Sequence, residues 1–408
     1  MTSPPLRRNR NFRLVFSAAA ASNLGDGVVA VAIPWLATLL TRDPVLVGLV
    51  AASRQAPWFV FALPAGVLTD RFDHRRVLIG CDLIRIAMAG AIMALALLGT
   101  PGTQAVLGLA ALTFVLGTAE VLRDNTAQTF VPAVVPKDQL EAGNGLLWSV
   151  EQVAGQFMGP PLAGMLIGAS IAAPFGLQAA GLALAVALMM RVRIAPRDEE
   201  RSAPQPFGPA LKEGLVFLWH HQTLRRMALA LGLFNFIGSI FWALVVLYAQ
   251  VVLGMQAAGY GLMMAFVAGG GLAGSLIGPA ILRRTGPKFG LMAGIAGFAL
   301  AAGLMALTQS AWITGAALMA EGFTALLWNI ATVSYRQRHI PAPLLGRVNA
   351  AYRFFGTGPS AFGALTGGII VAAAAGLGPV GALQLPYAIC LGAALLIMAY
   401  IALRLHLE

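Results

Sequence analysis

Apolar stretches of about twenty residues recur along this whole chain, with mostly short polar connections between them. The hydrocarbon core of a bilayer is roughly 30 Å thick and takes about twenty residues of α-helix to cross. Backbone inside it must satisfy its own hydrogen bonds, which restricts the chain to helices or a closed barrel. These runs are too long for barrel strands, so helices are the expectation. Twelve are read, over 12–40, 44–69, 77–99, 104–122, 143–167, 171–192, 224–250, 256–282, 288–308, 312–334, 350–374 and 384–404. Composition agrees: the 408 residues are 58% hydrophobic and only 11% charged, against roughly a quarter charged in soluble domains. The fold class is therefore all-α and polytopic in a membrane.

The first run follows LRRNRNF and contains small residues, a pattern shared with cleaved leaders. Its apolar character continues through GVVAVAIPWLATLL to Thr41, long enough to cross a bilayer, so a retained first helix is expected. Cys81 and Cys390 lie apart inside apolar runs and read as small hydrophobes. The five histidines lack helical metal-site spacing, so neither a metal nor another cofactor is called for.

The net charge of +11 raises the question of nucleic acid, but the basic residues sit in loops between apolar runs and form no basic soluble face. They alternate by side. Arg7, Arg8, Arg10, Arg13, the loop after the second run, Lys137, the long loop from Arg191, Arg283, Arg284, Lys288, Arg336, Arg338 and Arg347 fall on one side, and Arg42 on the other. By the positive-inside rule both termini are expected in the cytoplasm of a multi-pass inner or plasma membrane protein. Topology thus accounts for the charge without nucleic acid.

The long polar loop splits the chain into a six-helix bundle over 1–192, a linker with an amphipathic helix over 193–223, and a second six-helix bundle over 224–408. The halves echo one another. Asn125 and Asn329 open similar stretches in which Pro136 and Pro341 precede a Leu by four residues (Leu140, Leu345) and an Asn by eight (Asn144, Asn349); Gly66 to Arg71 is answered by Gly278 to Arg283. This is a parallel internal repeat, an architecture of transporters.

GVLTDRFDHRR, from Gly66 through Asp70 and Arg71 to Arg75 and Arg76, resembles the loop signature of the major facilitator superfamily, with Asp73 and His74 as departures. GQFMGPPLAG resembles that superfamily's fifth-helix antiporter signature through Gly155, Gly159, Pro160 and Gly164, with Ala163 where a second Gly is usual. The resemblance runs along essentially the full length. SNLGDGVVAVAIPWL, AASRQAP and LKEGLVFLWHH are similar to the branch of macrolide, multidrug and enterobactin exporters. It implies export of a hydrophobic or amphipathic small molecule (drug, antibiotic or siderophore) by alternating access, in exchange for protons, by a monomer.

Helices in lipid pack closely through small residues four apart. Gly155 and Gly159, the triplet Gly270, Gly274 and Gly278, and the pair Gly363 and Gly367 form such stripes. The expectation is that the fifth helix packs on the eighth, and the second, through Gly66, on the eleventh.

Ionisable groups at membrane depth are costly and by default functional. Asp26 is the expected proton carrier; Arg54, at similar depth, either tunes it or locks it in a permanent ion pair. Glu151 and Glu321, without a partner in their own helices, are expected to titrate, to contact a cationic substrate, or to bond to a neighbouring helix. Asn23, Trp35, Gln55, Gln152, Gln156, Asn235, Trp242, Trp328 and Asn329 are candidate cavity liners, though each alone is more often a packing residue than a ligand contact. In the loop, Asp70 is expected at the amino end of the eleventh helix, and Arg75 or Arg76 against Asp124 or Glu120, as a latch favouring the outward-open state. Other functions fit less well. A membrane-embedded enzyme would need a nucleophile and base, a metal set or a phosphate loop, none of which stands out; a receptor would need larger soluble loops. A lysolipid transporter of the same fold stays open.

Overall fold

A computed structural model describes residues 6–98, 100–193 and 207–405. Twelve helical rods run through it. They are α1 (Arg10–Leu40), α2 (Pro44–Arg71), α3 (His74–Leu98), α4 (Thr103–Val134), α5, α6 (Ala173–Met190), α7, α8 (Ala257–Thr285), α9 (Pro287–Leu307), α10 (Ala311–His339), α11 and α12 (Gly378–Arg404). Three are composite. The α5 rod joins Leu140–Val150 to Gly159–Ala169 through a π-helical stretch, Glu151–Met158; α7 is Gln222–Ala243 followed by Val245–Val251; α11 is Ala342–Thr357 followed by Pro359–Ala373. Among the described residues, eleven helices are long and apolar enough to cross a membrane; the α5 rod, divided by its π stretch, is the twelfth. A connecting helix, Phe207–His220, precedes α7.

Local chemistry sets the ends. Asn9 caps α1, accepting from the Phe12 amide at 3.1 Å. Asp43 caps α2 at 2.8 Å just before Pro44, whose missing N–H costs nothing in a first turn. Asp73, a departure from the loop signature, accepts from the Arg76 amide at 2.8 Å and starts α3. Gly286, at φ 81, turns α8 into α9 in a conformation side-chain-bearing residues resist. With 31 residues, α1 spans about 46 Å, so its ends leave the hydrocarbon. Leu276, Leu307, Trp312 and Leu396 are exposed on the outside, as lipid-facing side chains are, and both cysteines are free and buried.

The pairs α2–α11 and α5–α8 do join the two halves. Gly48 lies against the Ala364 carbonyl and Gly368 against Pro44, while Gly164 and Pro160 meet Ala257 and Gly261. The expected stripes, however, serve other contacts. Gly155 and Gly159 press on α1 at Asn23 and Gly27; Gly270, Gly274 and Gly278 receive Met319, Phe323 and Leu327 of α10; Gly363 and Gly367 receive Phe236 and Ile240 of α7. Four-residue spacing marks a face fit for close approach, and several neighbours compete for each helix. The side-chain surroundings of Gly66, Asp70 and Arg71 lie outside the described residues.

Contacts between the halves close the end that carries the α1–α2 connection. Gln250 of α7 donates to Thr38 at 2.8 Å and accepts from Arg42 at 3.1 Å, and Trp35 packs on Tyr260 with ring centroids 5.8 Å apart.

Candidate functional site

Asp26 lies near the middle of α1, and its carboxylate is ion-paired with Arg85 of α3. Arg85 is 1% exposed and also donates to Asp82, one turn earlier, at 2.9 Å. Asp82 accepts in turn from Arg123 of α4, also at 2.9 Å. Ser22 sits between, donating to Asp26 Oδ2 at 3.4 Å and accepting from Arg85 at 3.2 Å. Three helices are thereby tied by two carboxylates and two guanidiniums, an arrangement in which every buried charge has an opposite partner. A more peripheral pair, Arg54 of α2 and Glu120 of α4, stands at 3.7 Å, and Asp124 lies 3.8 Å from Arg123.

These charges border a cavity of about 670 Å³. Its walls come from α1 to α6. Asn23, Asp26 and Gly27 face it from α1, Arg54 and Trp58 from α2, and Asn144, Trp148, Glu151 and Gln156 from α5. Leu78 and Met189, at the ends of α3 and α6 away from the α1–α2 connection, also line it. The cavity thus reaches toward the end that carries the chain termini. The π stretch shapes the α5 wall: hydrogen bonds there run five residues along the chain, so Glu151 and Gln156 share a face that α-helical spacing would separate.

The comparisons fit this picture. A family model described as transmembrane secretion effector, MFS_3, matches residues 2–408. The chain belongs to this family of secretion effectors. Among curated relatives, the enterobactin exporters EntS of Citrobacter koseri and Salmonella typhimurium are each 27% identical over 385 residues, covering 89% of this chain and 86% of theirs. Among solved structures, a variant of the nucleoside transporter NupG superposes with a TM-score of 0.75 at 13% identity, over 97% of this chain and 100% of that one. A bacterial homologue of the iron transporter ferroportin, inward-facing, gives 0.74 at 14% identity over 96% and 98%. The major facilitator fold that the motifs implied is the fold of this secretion effector.

The expected site residues separate into groups. Asp26, Arg54, Glu120, Asp124, Glu151, Asn23, Gln156, Gly155 and Pro160 share the cavity. Of the two roles expected for Arg54, the locked ion pair with Asp26 is not formed: Arg54 pairs with Glu120, and Arg85 reaches Asp26 because α3 packs against α6 and α4 beside it. The expected arginine latch belongs to the outward-open state, and with the cavity reaching the end that carries this loop it is not formed here. Arg75 donates to the Met189 carbonyl at 3.0 Å and to that of Met190, capping the end of α6, and Arg76 is exposed with no ion pair among the described residues. Unsatisfied carbonyls at a helix end attract a guanidinium as an acid would.

Several expected liners lie elsewhere. Gln152 borders a small cleft between α5 and α8, while Trp35 and Trp328 are buried in packing against Tyr260 and Phe234. Asn235 donates to the Gly356 carbonyl at 2.7 Å, and Trp242 lies against Phe241. Gln55 and Asn329 are exposed away from the cavity. Glu321 is buried in α10, and its carboxyl group has no hydrogen-bond or ion-pair partner among the described residues. Asp82, Arg85, Arg123, Ser22 and Gln178 are what the sequence reading missed. The signal was present, since Asp82 and Arg85 are charges three residues apart in an otherwise apolar span.

Proposed function

We propose that this secretion effector exports a small amphipathic molecule, with a siderophore as the class its curated relatives suggest, by alternating access in exchange for protons. The observation that carries this reading is the Asp26–Arg85–Asp82–Arg123 cluster on the wall of a cavity sealed at one end. With the termini in the cytoplasm, as the loop charges favour, substrate enters this cavity from the cytoplasm. Asp26 is the proton carrier, with Glu151 and Glu321 as further titrating acids.

A proton on Asp26 removes its charge and ends its hold on Arg85, which keeps Asp82. The loosening is felt at α1, where Gly27 follows Asp26 and touches Gly155 and Gly159 of α5. The same helix forms the seam with α8 at Pro160 and Gly164. The protonation site therefore sits one residue from a backbone contact that leads to the other half, a contiguous route for coupling.

The test is substrate-driven proton flux in proteoliposomes, with a fluorescent organic cation and an iron-free siderophore as probes. Asp26→Asn should abolish coupling, and Glu151→Gln and Glu321→Gln should weaken it. Full proton coupling in all three variants would overturn the assignment, and absence of flux with any probe in the unaltered protein would point away from an antiporter.

A further inference from the structure

Three hydrogen bonds meet the Asp26 carboxylate, and all three come from donors. Arg85 donates to Oδ1, Ser22 to Oδ2, and the side-chain amide of Gln178, on α6, donates through Nε2 to Oδ1 at 3.3 Å. An ionised carboxylate accepts from such a set; a protonated one carries a hydrogen that itself needs an acceptor. Gln178 is 1% exposed, and its Oε1 is buried without a hydrogen-bond partner among the described residues. That oxygen belongs to the same rotor as the donating nitrogen, and a half-turn about the last side-chain bond exchanges the two. Close approach of α1 holds the stem of this side chain and leaves its terminal amide to turn: a methyl on Gly25 would stand 3.0 Å from the Gln178 Cα and 3.2 Å from its Cγ.

We propose that Gln178 is a positioning residue that reads the protonation state of Asp26, donating from Nε2 to the carboxylate and turning to accept at Oε1 from the carboxyl O–H. This rests on the proton-carrier reading of Asp26. In the step, a proton delivered from water in the cavity forms an O–H bond on the Asp26 carboxyl. The Nε2–H···Oδ1 hydrogen bond breaks, an O–H···Oε1 hydrogen bond replaces it, and no charge other than that of Asp26 changes. Without the turn, the amide oxygen would stay unsatisfied and the hydrogen of the neutral acid would be left to the Ser22 hydroxyl, which already accepts from Arg85.

The groups around Asp26 suit this division of labour. On the α3 side stand Arg85 and Asp82, on α4 Glu120, Arg123 and Asp124, on α2 Arg54, and on α5 Glu151. The arginines are permanent cations and donors only, so they serve the ionised form alone. Among the described residues, Gln178 is the group that α6 hydrogen-bonds to Asp26, and it serves both forms.

The experiment is infrared difference spectroscopy of the purified full-length protein in lipid, acidified without substrate. A protonated-carboxyl C=O band should appear, vanish in Asp26→Asn, and move to higher frequency in Gln178→Met, which keeps the bulk and removes both polar atoms. Should Gln178→Met fail to fold, Gln178→Asn, one methylene too short to reach, gives the same shift. A band that Asp26→Asn removes and neither Gln178 variant moves overturns the proposal and leaves the proton carrier standing. No band sensitive to Asp26→Asn overturns both.

Discussion

Arg85 is 1% exposed and bound to two acids, so its removal tests how the cluster stores its energy. Arg85→Leu leaves Asp26 without its ion-pair partner, and breaking a buried pair from one side costs about 3–5 kcal/mol. Asp82 retains Arg123 and suffers less. The double variant Asp26→Asn, Arg85→Leu removes both charges and should recover a large part of the loss; thermal midpoints in detergent would show this as strong non-additivity, and simple additivity would contradict it. Gly27 gives a second test. A methyl there runs into the Gly155 carbonyl, whereas one on Gly90 meets nothing within 4 Å. Gly27→Ala should therefore lose about 1–3 kcal/mol, and Gly90→Ala should gain up to about 1 kcal/mol from helix propensity. At this scale the sequence was half legible. Asp26, Glu151 and Arg54 announce themselves as charges in apolar runs, yet which arginine meets which acid depends on helix rotation about its axis, which spacing along one helix does not define.

Most helices were legible to within a few residues, because bilayer thickness sets their length, but α4 runs twelve residues past its expected end to Val134 and α11 starts at Ala342, eight before its expected start, where polar turns continue the helix beyond the apolar run. Two features of the elements were not legible. The π stretch of α5 is a change in hydrogen-bond register that composition does not encode. The capping of α6 by Arg75 was hidden because a loop arginine has acids and bare carbonyls equally within reach. That cap makes its own prediction. Arg75→Ala should cost about 1–2 kcal/mol in thermal stability while leaving transport by the folded fraction intact. A latch would behave differently: charge reversal at Arg75 would be rescued by Glu120→Arg or Asp124→Arg, and such rescue would show that Arg75 exchanges its α6 carbonyls for these acids in the outward-open state.

For the molecule as a whole, the question is what holds one end of the cavity shut. The two bundles meet there through close backbone at Gly48, Gly368, Gly164 and Gly261, which supplies fit without specificity. Gln250 supplies a polar tie: it reaches from α7 to both Thr38 and Arg42 of the other half. Thr38 is 1% exposed, so that bond is shielded from water and forms only when the halves are closed. A neutral hydrogen bond contributes about 1 kcal/mol, and the exposed one to Arg42 less than its charge suggests. Gln250→Leu should therefore shift the balance between the two open states by about 1–2 kcal/mol, roughly five- to thirtyfold. A cysteine at Asn23, which lines the cavity, reports on this. An impermeant thiol reagent should label Asn23→Cys from the side of the termini, and adding Gln250→Leu should transfer labelling toward the opposite side. Unchanged sidedness in the double variant would mean that the glycine seams alone close that end.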